Sequence, residues 1–90
     1  MNLTILTPDK EVFSGAIKSV KVPGVSGQFE ILKGHAAIVS SLGEGEVRVI
    51  DASGSTATYG IARGFIEVYN DEVSLLVLSL IHISEPTRPY

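Results

Sequence analysis

Ninety residues make one small domain. A hydrophobic content of 44% and a mean hydropathy of +0.31 exclude a disordered chain. A net charge of -3 gives no reason to expect the basic face that nucleic acid needs, and the absence of cysteine excludes a disulfide or thiolate brace.

The N-terminal Met1 to Pro8 has no basic stretch followed by a long apolar run, so it is not a secretory signal. Leu3, Ile5 and the alternating Thr4, Leu6 predict a first strand, and Pro8-Asp9-Lys10 turns the chain. Val12-Phe13 make a short strand, Ser14-Gly15 turn it, and Ile17, Val20 and Val22 form the next. Pro23-Gly24 and Ser26-Gly27 are turn chemistry, because Pro presets φ and Gly reaches positive φ freely. Gln28 to Ile31 alternates polar and apolar, which is the period of a half-buried strand. Lys33-Gly34 turns the chain again, His35 follows, and Ala36 to Val39 is a small apolar strand.

Gly43-Glu44-Gly45 leads into a strand with Val47 and Val49 inward, and residues 51–55 form a polar hairpin loop. Thr56 to Ile61 and Phe65 to Tyr69 read as two strands separated near Arg63-Gly64, where Gly60 to Gly64 reads as a bulge or sheet corner that needs close backbone approach, with Phe13, Phe29 and Phe65 inward. Asn70-Asp71 makes a hairpin turn into Val73 to Val77, the last strand. No segment has sustained helical periodicity with caps. Eight to ten short strands with regular turns predict an all-β sandwich of two antiparallel sheets. The longest apolar run, near Leu75 to Ile83, is interrupted by Ser79 and His82 and is too short to span a bilayer.

Candidates for chemistry are few. His35 has no nucleophile or orienting partner at a recognisable spacing, which favours a contact or turn residue over a catalyst. Gly24-x-x-Gly27 lacks the Gly-Lys-Ser/Thr ending of a phosphate cradle and reads as a tight turn. Glu44 and Glu46 flank a strand start and point to solvent. The four lysines, Lys10, Lys18, Lys21 and Lys33, are spaced rather than clustered.

Three ordered motifs carry a resemblance. Val22 to Leu42, with its G-Q-F-E-I-L-K-G-H-A-A core, Leu3 to Gly15, and Gly64 to Leu76 resemble the sandwich domain of the F-type ATP synthase epsilon subunit. The likeness covers roughly Met1 to Val77, so the domain is placed at 1–77. It departs at Gln28, Glu30, Ala37 and Arg63, where the family commonly has Glu, Gly, Pro and Gly. Residues 78–90 match nothing in that family and are similar to the translated read-through of a transposon-end sequencing adapter. They are set aside, and His82 carries no functional weight.

The resemblance implies a non-catalytic rotor subunit that links the gamma subunit to the polar loops of the c-ring, without a cofactor or bound metal. It implies a c-ring contact at Gln28, Glu30, Lys33, Gly34 and His35, and places Thr7 and Pro8 near gamma. It further implies a peripheral position on the cytoplasmic side of a bacterial inner membrane, reached through the complex. From residues alone, the open alternatives are a stand-alone carbohydrate-type binding module, which would expose a row of aromatics, and an enzyme.

Overall fold

The computed structural model describes the backbone of residues 1–84 and the side chains of residues 1–81. Seven strands follow in order: β1 (Asn2–Leu6), β2 (Glu11–Gly24), β3 (Gly27–Leu32), β4 (Ile38–Leu42), β5 (Gly45–Asp51), β6 (Thr56–Tyr69) and β7 (Glu72–Ser84). Three of them are long and serve both layers. In one layer the first half of β2 pairs β1, β1 pairs the first half of β7, that pairs the second half of β6, and β6 pairs β4. In the other, β3 pairs the second half of β2, then come β5, the first half of β6 and the second half of β7.

This explains the strand count. Ser14-Gly15 does not end a strand, because Ser14 and Gly15 pair with Thr4 and Leu3 and β2 continues through them. Nor does Arg63-Gly64, where β6 bends through register shifts against β7 between Gly60 and Gly64. A bulge bends a strand without interrupting it. The expected short strands are therefore halves of longer ones. All pairings are antiparallel except β1 with β7, which is parallel. Strand β4 starts at Ile38, two residues after the expected Ala36.

Period-2 alternation fills the interior. Leu3 and Ile5, Val20 and Val22, Val47 and Val49, Ile66 and Val68, and Val73, Leu75 and Val77 are all buried. Phe13 and Phe29 pack partly against this core. Phe65 does not: it is 45% exposed. The bulged stretch buries Gly64 and puts Phe65 on the outer face with Glu67 and Tyr69, while Ile66 and Val68 turn inward. The shared parity of Phe65 with Glu67 was the available signal.

The last strand was expected to end at Val77 and instead runs to Ser84. Leu78 to Ile83 is rich in β-competent apolar residues, and it finds a partner in Thr58 to Ile61 of β6, where Leu80 pairs Ile61. Pro86 and Pro89 lie outside the described residues, as does the His82 side chain.

Candidate partner-binding surfaces

The outer face of the first layer is graded from apolar to polar. Leu6 of β1 lies opposite Leu76 of β7, Leu76 opposite Phe65 of β6, and Phe65 opposite Ser41 of β4. The next row is Thr4, Ser74, Glu67 and Val39. Leu6 is 40% exposed, Leu76 38% and Val39 73%. With Phe65 they line an open hollow of about 340 Å³. Exposed apolar side chains that adjoin across strands form a patch, which scattered ones do not. Leu6, Val39 and Leu76 carried no separate warning, because outward apolar side chains on single strands look ordinary until cross-strand register joins them.

Thr7 and Pro8 sit just beyond Leu6, at the end of this patch. The Thr7 N–H donates to the Lys10 carbonyl at 2.8 Å, and the Lys10 N–H donates to Thr7 Oγ1 at 3.1 Å. These bonds fix the β1–β2 turn and leave Pro8 exposed.

The five residues of the expected c-ring contact do not form one loop tip. Gln28 and Glu30 lie on β3 with their side chains outward, opposite Pro23 and Lys21. Lys21 in turn lies opposite Arg48 of β5, so Glu30, Lys21 and Arg48 make one charged row. Gln28 shares a polar hollow with Lys21, Glu46 and Arg48. Lys33, Gly34 and His35 occupy the turn after β3. Strand β3 carries the chain from Gln28 to Leu32, roughly 13 Å, before that turn begins.

Backbone and side-chain bonds hold the turn at Lys33–His35. Gly34 has φ of 82°, which favours glycine. The His35 N–H donates to the Leu32 carbonyl at 3.0 Å. His35 Nδ1 lies 2.7 Å from the carbonyl of Ala36, and since a carbonyl only accepts, Nδ1 carries the proton. The Gly34 N–H donates to Asp71 Oδ1 at 2.8 Å, joining this turn to the β6–β7 hairpin. Gly34, His35, Ala37, Tyr69, Asn70 and Asp71 line a polar hollow there.

The hairpin at 51–55 has its own brace. Asp51 Oδ1 accepts from the Ser53 hydroxyl at 2.7 Å, the Ser53 N–H at 2.9 Å and the Ser55 N–H at 3.0 Å. The Ser53 hydroxyl is the main cause holding the Asp51 carboxyl below its ordinary value. Desolvation opposes it, and the backbone N–H donors of Ser55, Ser53 and Gly54 add to it. Among the described residues, no three His, Cys, Asp or Glu side chains gather as a metal site would require. Among them, too, no helix is long and apolar enough to cross a membrane.

Comparison with known proteins agrees with this architecture. The family model described as ATP synthase, Delta/Epsilon chain, beta-sandwich domain matches residues 1–83. The ATP synthase epsilon chain of Chlorobaculum tepidum is 46% identical over 74 residues, covering 82% of this chain and 84% of that one. The epsilon chain of Protochlamydia amoebophila is 35% identical over 83 residues, covering 92% of this chain and 56% of that one. A chain in the Euglena gracilis mitochondrial ATP synthase OSCP/F1/c-ring structure superimposes with a TM-score of 0.77 at 23% identity. It covers 93% of this chain and 51% of its own, and at that identity it speaks to the fold alone. The chain belongs to the ATP synthase delta/epsilon-chain β-sandwich family. Chains of this kind are subunits of the complex rather than its catalytic part.

Proposed function

We propose that this chain is a non-catalytic central-stalk subunit that couples the gamma subunit to the c-ring of a proton- or sodium-driven ATP synthase. The observation that carries the proposal is the outer face of the first layer. A 90-residue domain with a complete core still leaves Leu6, Leu76, Phe65 and Val39 together at the surface. In this reading gamma covers that face, with Thr7 and Pro8 at its margin. Gln28 and Glu30 on β3, and Lys33, Gly34 and His35 beyond it, meet the polar loops of the c-ring. Exposed polar groups on a rigid strand and a fixed turn suit recognition by charge and hydrogen bonds.

These surfaces all lie within residues 1–77, and 78–90 contribute no partner contact. The complex holds the chain at the cytoplasmic side of a bacterial inner membrane. The test is co-purification with gamma subunit and c-ring from Chlorobaculum tepidum, the source of the 46%-identical relative. Phe65→Asp should abolish gamma capture. Glu30→Ala, Lys33→Ala and His35→Ala combined should weaken c-ring capture while gamma capture stands. Wild-type gamma capture by Phe65→Asp would refute the assignment of that face. Unchanged c-ring capture by the triple variant would refute the second surface.

A further inference from the structure

We infer that Asp71 is a positioning residue for the Lys33–His35 turn, holding it in one conformation through its carboxylate; the inference deepens the proposed c-ring surface and rests on it. Asn70 and Asp71 form the two-residue loop between β6 and β7, closed by the Tyr69–Glu72 pair. Their φ values are 51° and 60°, so both lie in the left-handed region. A two-residue hairpin with positive φ at both positions is best served by Asn-Gly. The chain has the Asn but places Asp where Gly would fit better. Turn geometry alone therefore does not account for Asp71.

Its side chain supplies a separate reason. Asp71 Oδ1 accepts the Gly34 N–H at 2.8 Å, across 37 positions of sequence. The Asp71 carbonyl meanwhile accepts the N–H of Asn2 at 3.0 Å. One residue thus ties the start of β1 and the turn after β3 to its own hairpin. A Cβ at Gly34 would meet open space, so packing on that side does not hold the turn. The local bond from the His35 N–H to Leu32 restrains one side of the turn, and the bond to Asp71 restrains the other. A bond to a charged acceptor is about twice as strong as a neutral one. A turn fixed before a partner arrives need not be ordered on binding, which favours association.

The test uses the full chain with Asp71→Gly and Asp71→Asn. Asp71→Gly removes the acceptor and improves the turn backbone, so the variant should fold with an undiminished melting temperature. Its Gly34 amide should exchange with solvent about tenfold or more faster than in the wild type. Asp71→Asn keeps an oxygen acceptor and should restore most of the protection. Binding to the Chlorobaculum tepidum c-ring should fall severalfold for Asp71→Gly and recover for Asp71→Asn. Unchanged Gly34 exchange in Asp71→Gly overturns the inference. So does wild-type c-ring binding by Asp71→Gly when the Glu30, Lys33 and His35 triple variant has lost it. If the triple variant binds normally while Gly34 exchange accelerates in Asp71→Gly, the c-ring surface fails and the positioning of the turn stands.

Discussion

Gly64→Ala probes the place where β6 crosses from one layer to the other. A Cβ at Gly64 would run into the carbonyl oxygen of Leu76 and come within 3.3 Å of the Val77 Cα. Both are backbone atoms of β7, so no side chain can swing aside. Overpacking of this kind costs about 1–3 kcal/mol, and contact with backbone puts it near the upper end. Ala also stabilises by about 0.4–1 kcal/mol through a less flexible unfolded chain. The clash wins, leaving a net loss of about 2 kcal/mol. For a domain this size that lowers the melting temperature by about 8–16 °C. Gly54→Ala is the control, because Gly54 has φ of 94° and open space around it. It should lose only about 1 kcal/mol, from backbone strain alone. Thermal unfolding followed by circular dichroism reads both. Gly64 adjoins Phe65, so Gly64→Ala should also weaken gamma capture. A Gly64→Ala variant melting within about 2 °C of wild type would refute the close β6–β7 approach.

Phe65→Ala should change stability by less than about 1 kcal/mol, since the ring is outward, yet weaken gamma binding about 30-fold, as a buried aromatic anchor would; titration calorimetry with gamma measures it. The Asp51 brace is pH-dependent with a known sign. Its folded-state carboxyl lies below the ordinary value, so its contribution is present above that value and is lost as pH falls through the lowered one. The Ser53 and Ser55 amide resonances should therefore shift together in acid, below about pH 4, and Asp51→Asn should abolish that shift. Deleting 79–90 removes the half-buried Leu80 and its pairing with Ile61. That should cost about 1–3 kcal/mol in a denaturant melt and leave gamma capture intact; loss of capture would place partner contact in the last strand.

Local chemistry made most of the fold legible. Turn residues marked Asn70-Asp71, 51–55 and Gly24 to Gly27, and alternation identified the inward valines of β5. What stayed hidden depends on register. Gly60 to Gly64 marked the bulge of β6, but nothing local to Ser14-Gly15 says that a neighbouring strand carries β2 through it. The same holds for the surfaces. Gln28 near the start of β3 and His35 beyond its end are close in sequence yet separated by the strand, whereas Gly34 and Asp71 are distant in sequence and hydrogen-bonded. The apolar face is likewise assembled from β1, β4, β6 and β7, each contributing one outward side chain to a patch that no single strand displays.

The parallel pairing of β1 with β7 sets an order of events during synthesis. Asn2 is partnered by Glu72, 70 positions later. At 5–20 residues per second, about 4–14 s pass before the ribosome delivers that neighbour. Strand β2 covers one edge of β1 early, but the other edge, with the apolar Leu3 and Ile5 inward and Leu6 outward, must wait. An open strand edge of this composition is a template for wrong pairing. Chains interrupted before Glu72 would carry that open edge permanently, and the cell's chaperones and proteases would meet them as aggregation-prone fragments rather than as small domains.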